Sequence, residues 1–177
     1  MGIRDDEIKR LTKYAEGLNI KVVFKPYQRG IGSAEWDIEN RQIVVFQAPG
    51  DSKTKIILAM LHELGHHLDW IYNNKHHSEE SLKAFELLNE GSIEGHRFDI
   101  PKKYRKIIYE EEKSGIAYMS IIAKECDIKI PHWKVQLEQY MDLLDYEWLY
   151  KKGRFLTRKE YREERKKVVN KFKKEYK

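Results

Sequence analysis

A chain of 177 residues with 41% hydrophobic and 36% charged residues can bury one core, and it predicts one domain with heavily charged outer helices. A single cysteine, Cys126, excludes an intramolecular disulfide, and no apolar run reaches membrane-spanning length. The net charge of +5 is uneven: residues 151–177 hold 13 Lys/Arg and 4 Glu, a net of +9, which leaves −4 on residues 1–150. That asymmetry predicts an acidic body over residues 1–152 and a basic C-terminal helix within 153–177. The start MGIRDDEIKR lacks the apolar core of a signal peptide, so a cytoplasmic location and no membrane partner are expected.

In chain order, residues 3–17 read as an amphipathic helix with Ile3, Ile8, Leu11 and Ala15 inward. Lys21–Lys25 is a β-branched and aromatic run stopped by Pro26, and Gln28–Ser33 reads as a loop. Ala34–Glu39 and Gln42–Gln47 read as strands joined by a tight hairpin at Asn40-Arg41, which predicts a small antiparallel sheet. Lys55–Asn73 follows as a helix, with Asp51 and Ser52 as capping residues. Its buried stripe is Ile56, Ile57, Met60, Leu61, Leu64, Leu68 and Ile71. After a polar break at Asn73–Ser78 come a helix over Ser78–Asn89, a loop over Gly91–Ile100, and helices over Pro101–Cys126 and Pro131–Lys152. Gly153 ends the last of these, and Thr157-x-x-Glu160 is a capping box for a basic final helix. The fold class is therefore α+β with a mainly helical C-terminal half.

The helix Lys55–Asn73 carries His62-Glu63-Leu64-Gly65-His66, a match to H-E-x-x-H. Two histidines four residues apart lie on one helix face, one turn apart, and both imidazoles can reach one zinc ion at about 2.0–2.1 Å. Glu63 is about 100° around the helix, near enough to touch a water on the metal without ligating it. Two histidines do not complete a site, since a catalytic zinc takes three protein ligands and keeps one position open. A third histidine six residues past His66 is excluded, because Tyr72 stands there and Asp69 replaces the glycine that goes with it. Asp69, one turn past His66, is instead a candidate to buttress a ligand imidazole.

The third ligand is then a glutamate from a later helix: Glu79, Glu80, Glu86, Glu90, Glu94 or the run Glu110-Glu111-Glu112. The stripe Ile108, Gly115, Met119, Ile122 and Cys126 centres between Glu111 and Glu112, so periodicity turns one of these two inward without saying which. Gly115, three residues past Glu112, permits the close helix approach that a shared metal needs, which favours Glu112. Cys126 reads as a buried structural thiol.

HELGHHLD after a short sheet, followed by Glu111, Glu112, Gly115 and Tyr118 in the order E-E-x-x-small-x-x-Tyr, resembles the ImmA/IrrE-type zinc metallopeptidases of phages, mobile elements and bacteria. The resemblance spans roughly residues 10–130. It implies a zincin-like fold, with the small antiparallel sheet packed on the active-site helix. It also implies Zn2+ held by His62, His66 and Glu112, with Glu63 as the catalytic base. The implied substrate is a protein or peptide, such as a regulatory protein of the transcriptional-repressor kind. The chain departs from the family in carrying Gly115 where Ala is usual, and in the long interval Asn73–Lys106. That interval keeps Glu86 and Glu90 open as ligands. His67 and Tyr118 are the candidate oxyanion donors.

A different class competes: a non-enzymatic regulatory protein whose metal site is structural, closed by His76, His77, His96 or His132, and whose basic tail contacts nucleic acid. A third reading is a metal-dependent hydrolase of something other than peptide. The hairpin edge, able to pair with an extended chain, favours peptide.

Overall fold

The computed structural model describes residues 3–27, 33–73, 78–94 and 99–175, the side chains of 3–4, 90–94 and 175 excepted. Among the described residues the chain is α+β and mostly helical, with six helices and one three-stranded mixed sheet. Most of the expected Gln28–Ser33 loop and of the Asn73–Ser78 break lies outside them.

Helix α1 (Ile3–Gly17) buries Leu11 and Ala15 one turn apart against the core. Strands β2 (Ala34–Asp37) and β3 (Gln42–Gln47) form the expected antiparallel hairpin, with Ala34 opposite Val45 and Asp37 opposite Gln42. Arg41 takes a left-handed φ of 48° in the turn, and the Asp37 carboxylate accepts from the Asn40 backbone N–H at 3.0 Å and from Asn40 Nδ2 at 2.9 Å. Strand β1 (Lys21–Pro26) pairs parallel to β3, giving the order β1-β3-β2. The sheet is thus mixed, which corrects the antiparallel expectation. Residue pattern identifies a strand but carries no direction, and only a hairpin makes direction local. β3 takes the centre because Ile43, Val44, Val45 and Phe46 are all buried, a continuous run that needs cover on both faces.

Helix α2 (Lys53–Asn73) starts where Ser52 Oγ accepts from the Lys55 N–H at 3.2 Å, while Asp51 braces the preceding turn on the Ala48 N–H at 2.9 Å. Its stripe is buried as expected except for Ile71, which is 43% exposed. Periodicity names the inward face of a helix, not the point at which the neighbour ends. Helix α3 (Glu79–Glu94) runs past Asn89 and through Gly91, so the first residues of the expected Gly91–Ile100 loop are helical and its positions 95–98 lie outside the described residues. An interior glycine costs about 1 kcal/mol but does not stop a helix.

Helices α4 (Lys102–Glu125) and α5 (His132–Lys152) each begin one residue after a proline, Pro101 and Pro131, which serve as N-caps. Gly153 closes α5 with a left-handed φ of 72°. Cys126, just past α4, is buried, and burial pushes its thiol up to about 11, consistent with a structural role. The main core joins α1, the sheet, α2 and α4, with Leu64, Met119 and Ile122 fully enclosed.

Helix α6 (Arg158–Glu175) opens with the capping box: Glu160 N–H donates to Thr157 Oγ1 at 3.2 Å and Thr157 N–H to Glu160 Oε2 at 2.8 Å. It docks on α5, setting Val168, Val169 and Phe172 against Leu137, Met141 and Leu144. The α5–α6 connection is pinned where Asp145 Oδ1 accepts the Leu156 N–H at 2.7 Å. Burial first, and the Asp142 charge after it, push the Asp145 carboxyl up to about 6. A carboxyl with a raised folded pKa costs nothing below its unfolded pKa near 4, and its cost grows until pH passes the folded value near 6. Asp145→Asn keeps an acceptor for Leu156 and removes the charge. It is expected to raise stability by about 1 kcal/mol at neutral pH, after allowance for partial solvent screening, and by nothing near pH 4. Urea melts at the two pH values measure this; lower stability of the variant at neutral pH would contradict it.

Candidate metal centre

α2 sends His62 and His66 from adjacent turns toward α4, where Glu112 is 4% exposed and points back. His62 Nε2 lies 3.0 Å from His66 Nε2, and Glu112 Oε2 lies 3.4 and 3.3 Å from those two nitrogens. Three ligand atoms about 2.1 Å from one tetrahedral ion would stand about 3.4 Å apart, so this triangle is close to the size a metal requires. Glu112 Oε2 is buried, yet no hydrogen bond of proper geometry satisfies it. A buried carboxylate oxygen left so is costly unless a cation faces it, and the donor set of two imidazoles and one carboxylate suits zinc chemistry. The residues present therefore fit a metal ion: His62, His66 and Glu112 could hold one.

The helix approach that brings the three together depends on two glycines. Gly65 on α2 faces the carbonyl of Gly115 on α4, and a Cβ on Gly115 would stand 2.5 Å from His66 Nδ1. The close contact expected at Gly115 is thus present, and Gly65 matches it from the other side.

Between the two carboxylates that periodicity left open, packing chooses Glu112. Glu111 faces α3 and accepts from Ser81 Oγ. Glu86 is solvent-facing and pairs with Lys83 at 3.1 Å, and Glu80 reaches Lys103. The side chains of Glu90 and Glu94, and His76, His77 and His96, lie outside the described residues. His132, in the first turn of α5, does not join the triad.

The remaining candidates fall elsewhere. Asp69 is buried; it accepts from Asn73 Nδ2 one turn on at 2.5 Å and from Ser114 Oγ, and the second bond fastens α2 to α4. The buttress on His62 comes instead from α5: Asp142 Oδ2 lies 3.3 Å from His62 Nδ1. That contact selects the tautomer with Nε2 free for a metal. His67 is fully buried, its ring 4.8 Å from that of Trp36 and 5.5 Å from that of Trp70. Burial, and then Arg41, lower its pKa to about 4, so it is neutral and enclosed, which removes it as an oxyanion donor. Tyr118 stacks on Tyr72 at 6.2 Å, on the Gly65 flank of α2 rather than the histidine flank. The phenol that senses the triad is Tyr146 of α5: burial, then the charges of Glu112, Asp142 and Glu63, push its pKa up and keep it protonated. Asp142 and Tyr146 belong to an i, i+4 row with Glu138, and that row is the sequence feature that marks this face of α5.

Electrostatically the site is tuned by burial and by neighbours of both signs. Burial opposes charge on His62, but the Asp142 and Glu112 carboxylates outweigh it and raise its pKa. Burial would also raise Glu112, but His66 and His62 hold it well below the usual carboxylate range, so it is ionised. Glu63 moves the other way. Burial raises it, the two histidines oppose that, Glu112 adds to it, and the nearby Trp36 backbone dipole lowers it slightly. Two glutamates in one site are thus separated in basicity, one a permanent anion and one closer to neutral pH.

No family model, curated protein or solved structure matches this chain.

Proposed function

We propose that the protein is a zincin-like, zinc-dependent metallopeptidase that hydrolyses a peptide bond in a protein substrate. The observation that carries this reading is the convergence of His62 Nε2, His66 Nε2 and Glu112 Oε2 from two helices, with the half-buried Glu63 next to His62 in the chain. Zinc bound by the three residues would supply Lewis acidity, polarising a carbonyl and acidifying a bound water. Glu63 is the proton carrier: its raised pKa makes it a stronger base than an ordinary carboxylate, and it returns the proton to the leaving amine. Tyr146 provides a protonated phenol at the triad that can donate to a developing oxyanion, the role that Tyr118 and His67 are not placed to fill. Asp142 orients His62. β2 is an edge strand, and its Trp36 backbone lies near enough to Glu63 to influence its charge, so an extended substrate paired on that edge would run past the base. This edge supports peptide over other hydrolysable substrates. A structural metal role is less well supported, because among the described residues the group offers three protein ligands and not four.

The test is zinc content and zinc affinity of wild type and variants, by metal analysis and chelator competition. Wild type is expected to bind one equivalent. Glu112→Ala should lose about 100-fold or more in affinity, and Asp142→Ala about 10–100-fold through loss of the support behind His62. Full zinc retention by Glu112→Ala would remove the glutamate from the site and overturn the assignment.

A further inference from the structure

We propose that the outer face of α6 binds the phosphate backbone of duplex nucleic acid, independently of the metal centre. At 100° per residue, Arg158, Lys159, Arg162, Lys166 and Lys173 fall within about 100° of arc, and no acidic residue of the helix shares that arc. Arg158, Lys159, Arg162 and Lys166 are exposed and make no ion pair among the described residues. Lys173 lies over the Trp133 ring at 6.0 Å.

The acids of α6 are largely committed. Glu160 takes both guanidinium nitrogens of Arg154 at 2.8 Å, and Glu164 pairs with Lys167 at 2.6 Å. The interface with α5 uses a different cation, Arg165, which holds Glu138 at 3.0 Å. Apart from Lys173 over Trp133, the cations of this arc take no part in the packing of α6. Two of its members also work against the helix: Arg158 and Lys159 sit in the first turn, at the positive end of the macrodipole, where a cation costs about 0.3–1 kcal/mol. Their placement is unfavourable for the isolated fold and favourable only toward an external anion.

The partner follows from charge and shape. A membrane surface would need apolar residues to insert, but Val168, Val169 and Phe172 face α5. A row of fixed cations about 22 Å long matches a regular polyanion, and duplex DNA of that length presents roughly a dozen phosphates. The acidic body would repel DNA and leave α6 as the approach.

The experiment measures binding of full-length protein to a fluorescent duplex of about 20 base pairs and arbitrary sequence, by anisotropy across ~50–200 mM potassium chloride. Four phosphate contacts predict a log–log salt slope of about −3.6 and a loss of affinity of about 100-fold over that range. The combined variant Arg158→Gln, Lys159→Gln, Arg162→Gln, Lys166→Gln should bind at least about 10-fold more weakly at the low-salt end, with most of the slope gone. A control of equal charge change on exposed body lysines, Lys13→Gln, Lys21→Gln, Lys25→Gln, Lys113→Gln, should bind like wild type, and so should Glu112→Ala. Three results would overturn the proposal: no duplex binding by wild type at low salt, equal weakening by the control, or binding to phosphatidylserine vesicles in place of the duplex.

Discussion

Glu63→Gln is expected to lower peptide cleavage by about 10²–10⁴-fold while the protein keeps its metal. Glutamine preserves the size and polarity of the side chain but cannot accept the proton. Metal retention is expected because the three atoms that form the triangle are on His62, His66 and Glu112, one helix face away from Glu63. Glu63 should also leave the fold undisturbed when neutralised, since desolvation already disfavours its charge. The assay compares cleavage of a proteome-derived peptide library by wild type and variant at equal zinc loading, read by mass spectrometry. Equal cleavage by Glu63→Gln would sink the assignment of Glu63 as base. Loss of both zinc and cleavage would instead place Glu63 among the ligands.

The second large effect is at the glycine pair. Alanine is a better helix former than glycine by about 1 kcal/mol, so either substitution should stabilise an open helix. Here both are expected to do harm, by different routes. A Cβ on Gly65 meets the backbone carbonyl of Gly115, which cannot rotate aside, so α2 and α4 must separate along their length. Gly65→Ala should lower stability by about 3 kcal/mol, at the severe end of overpacking, and weaken metal binding with it. A Cβ on Gly115 meets the imidazole of His66, which can swing away. Gly115→Ala should therefore fold with a smaller loss and show its main defect in metal affinity, since the displaced ring carries a ligand atom. Thermal melts with and without zinc separate the two. A Gly65→Ala protein as stable as wild type would show that the helices are not in the contact described.

How much of this was legible beforehand depends on how local each feature is. The spacing of His62, Glu63 and His66 lies within two turns of one helix, so helical geometry alone places both imidazoles on one face and the glutamate beside them. The caps at Ser52 and Thr157, the stop at Gly153 and the hairpin between β2 and β3 are equally short-range, and the sequence by itself determined them. The preference for Glu112 over Glu111 rested on a single long-range hint, the missing side chain at Gly115, and needed the packed α2–α4 seam to decide it.

Other features had no local signature at all. Strand direction, the exposure of Ile71, and the sides taken by His67 and Tyr118 depend on where neighbouring elements begin and end, and residue pattern encodes faces rather than neighbours. Asp142 and Tyr146 lie 76 and 80 residues past His66, the end of the motif they complete. The sequence shows them as a polar row on α5, and only the packing of α5 against the triad turns that row into a buttress for His62 and a phenol at Glu112. For α6 the sequence determined the charge, and the tertiary structure decided which cations are used up in docking and which remain for a partner. The division has one physical cause: a helix or turn is set by interactions within a few residues, whereas a shared metal, a strand direction or a free charged face exists only after distant segments have packed.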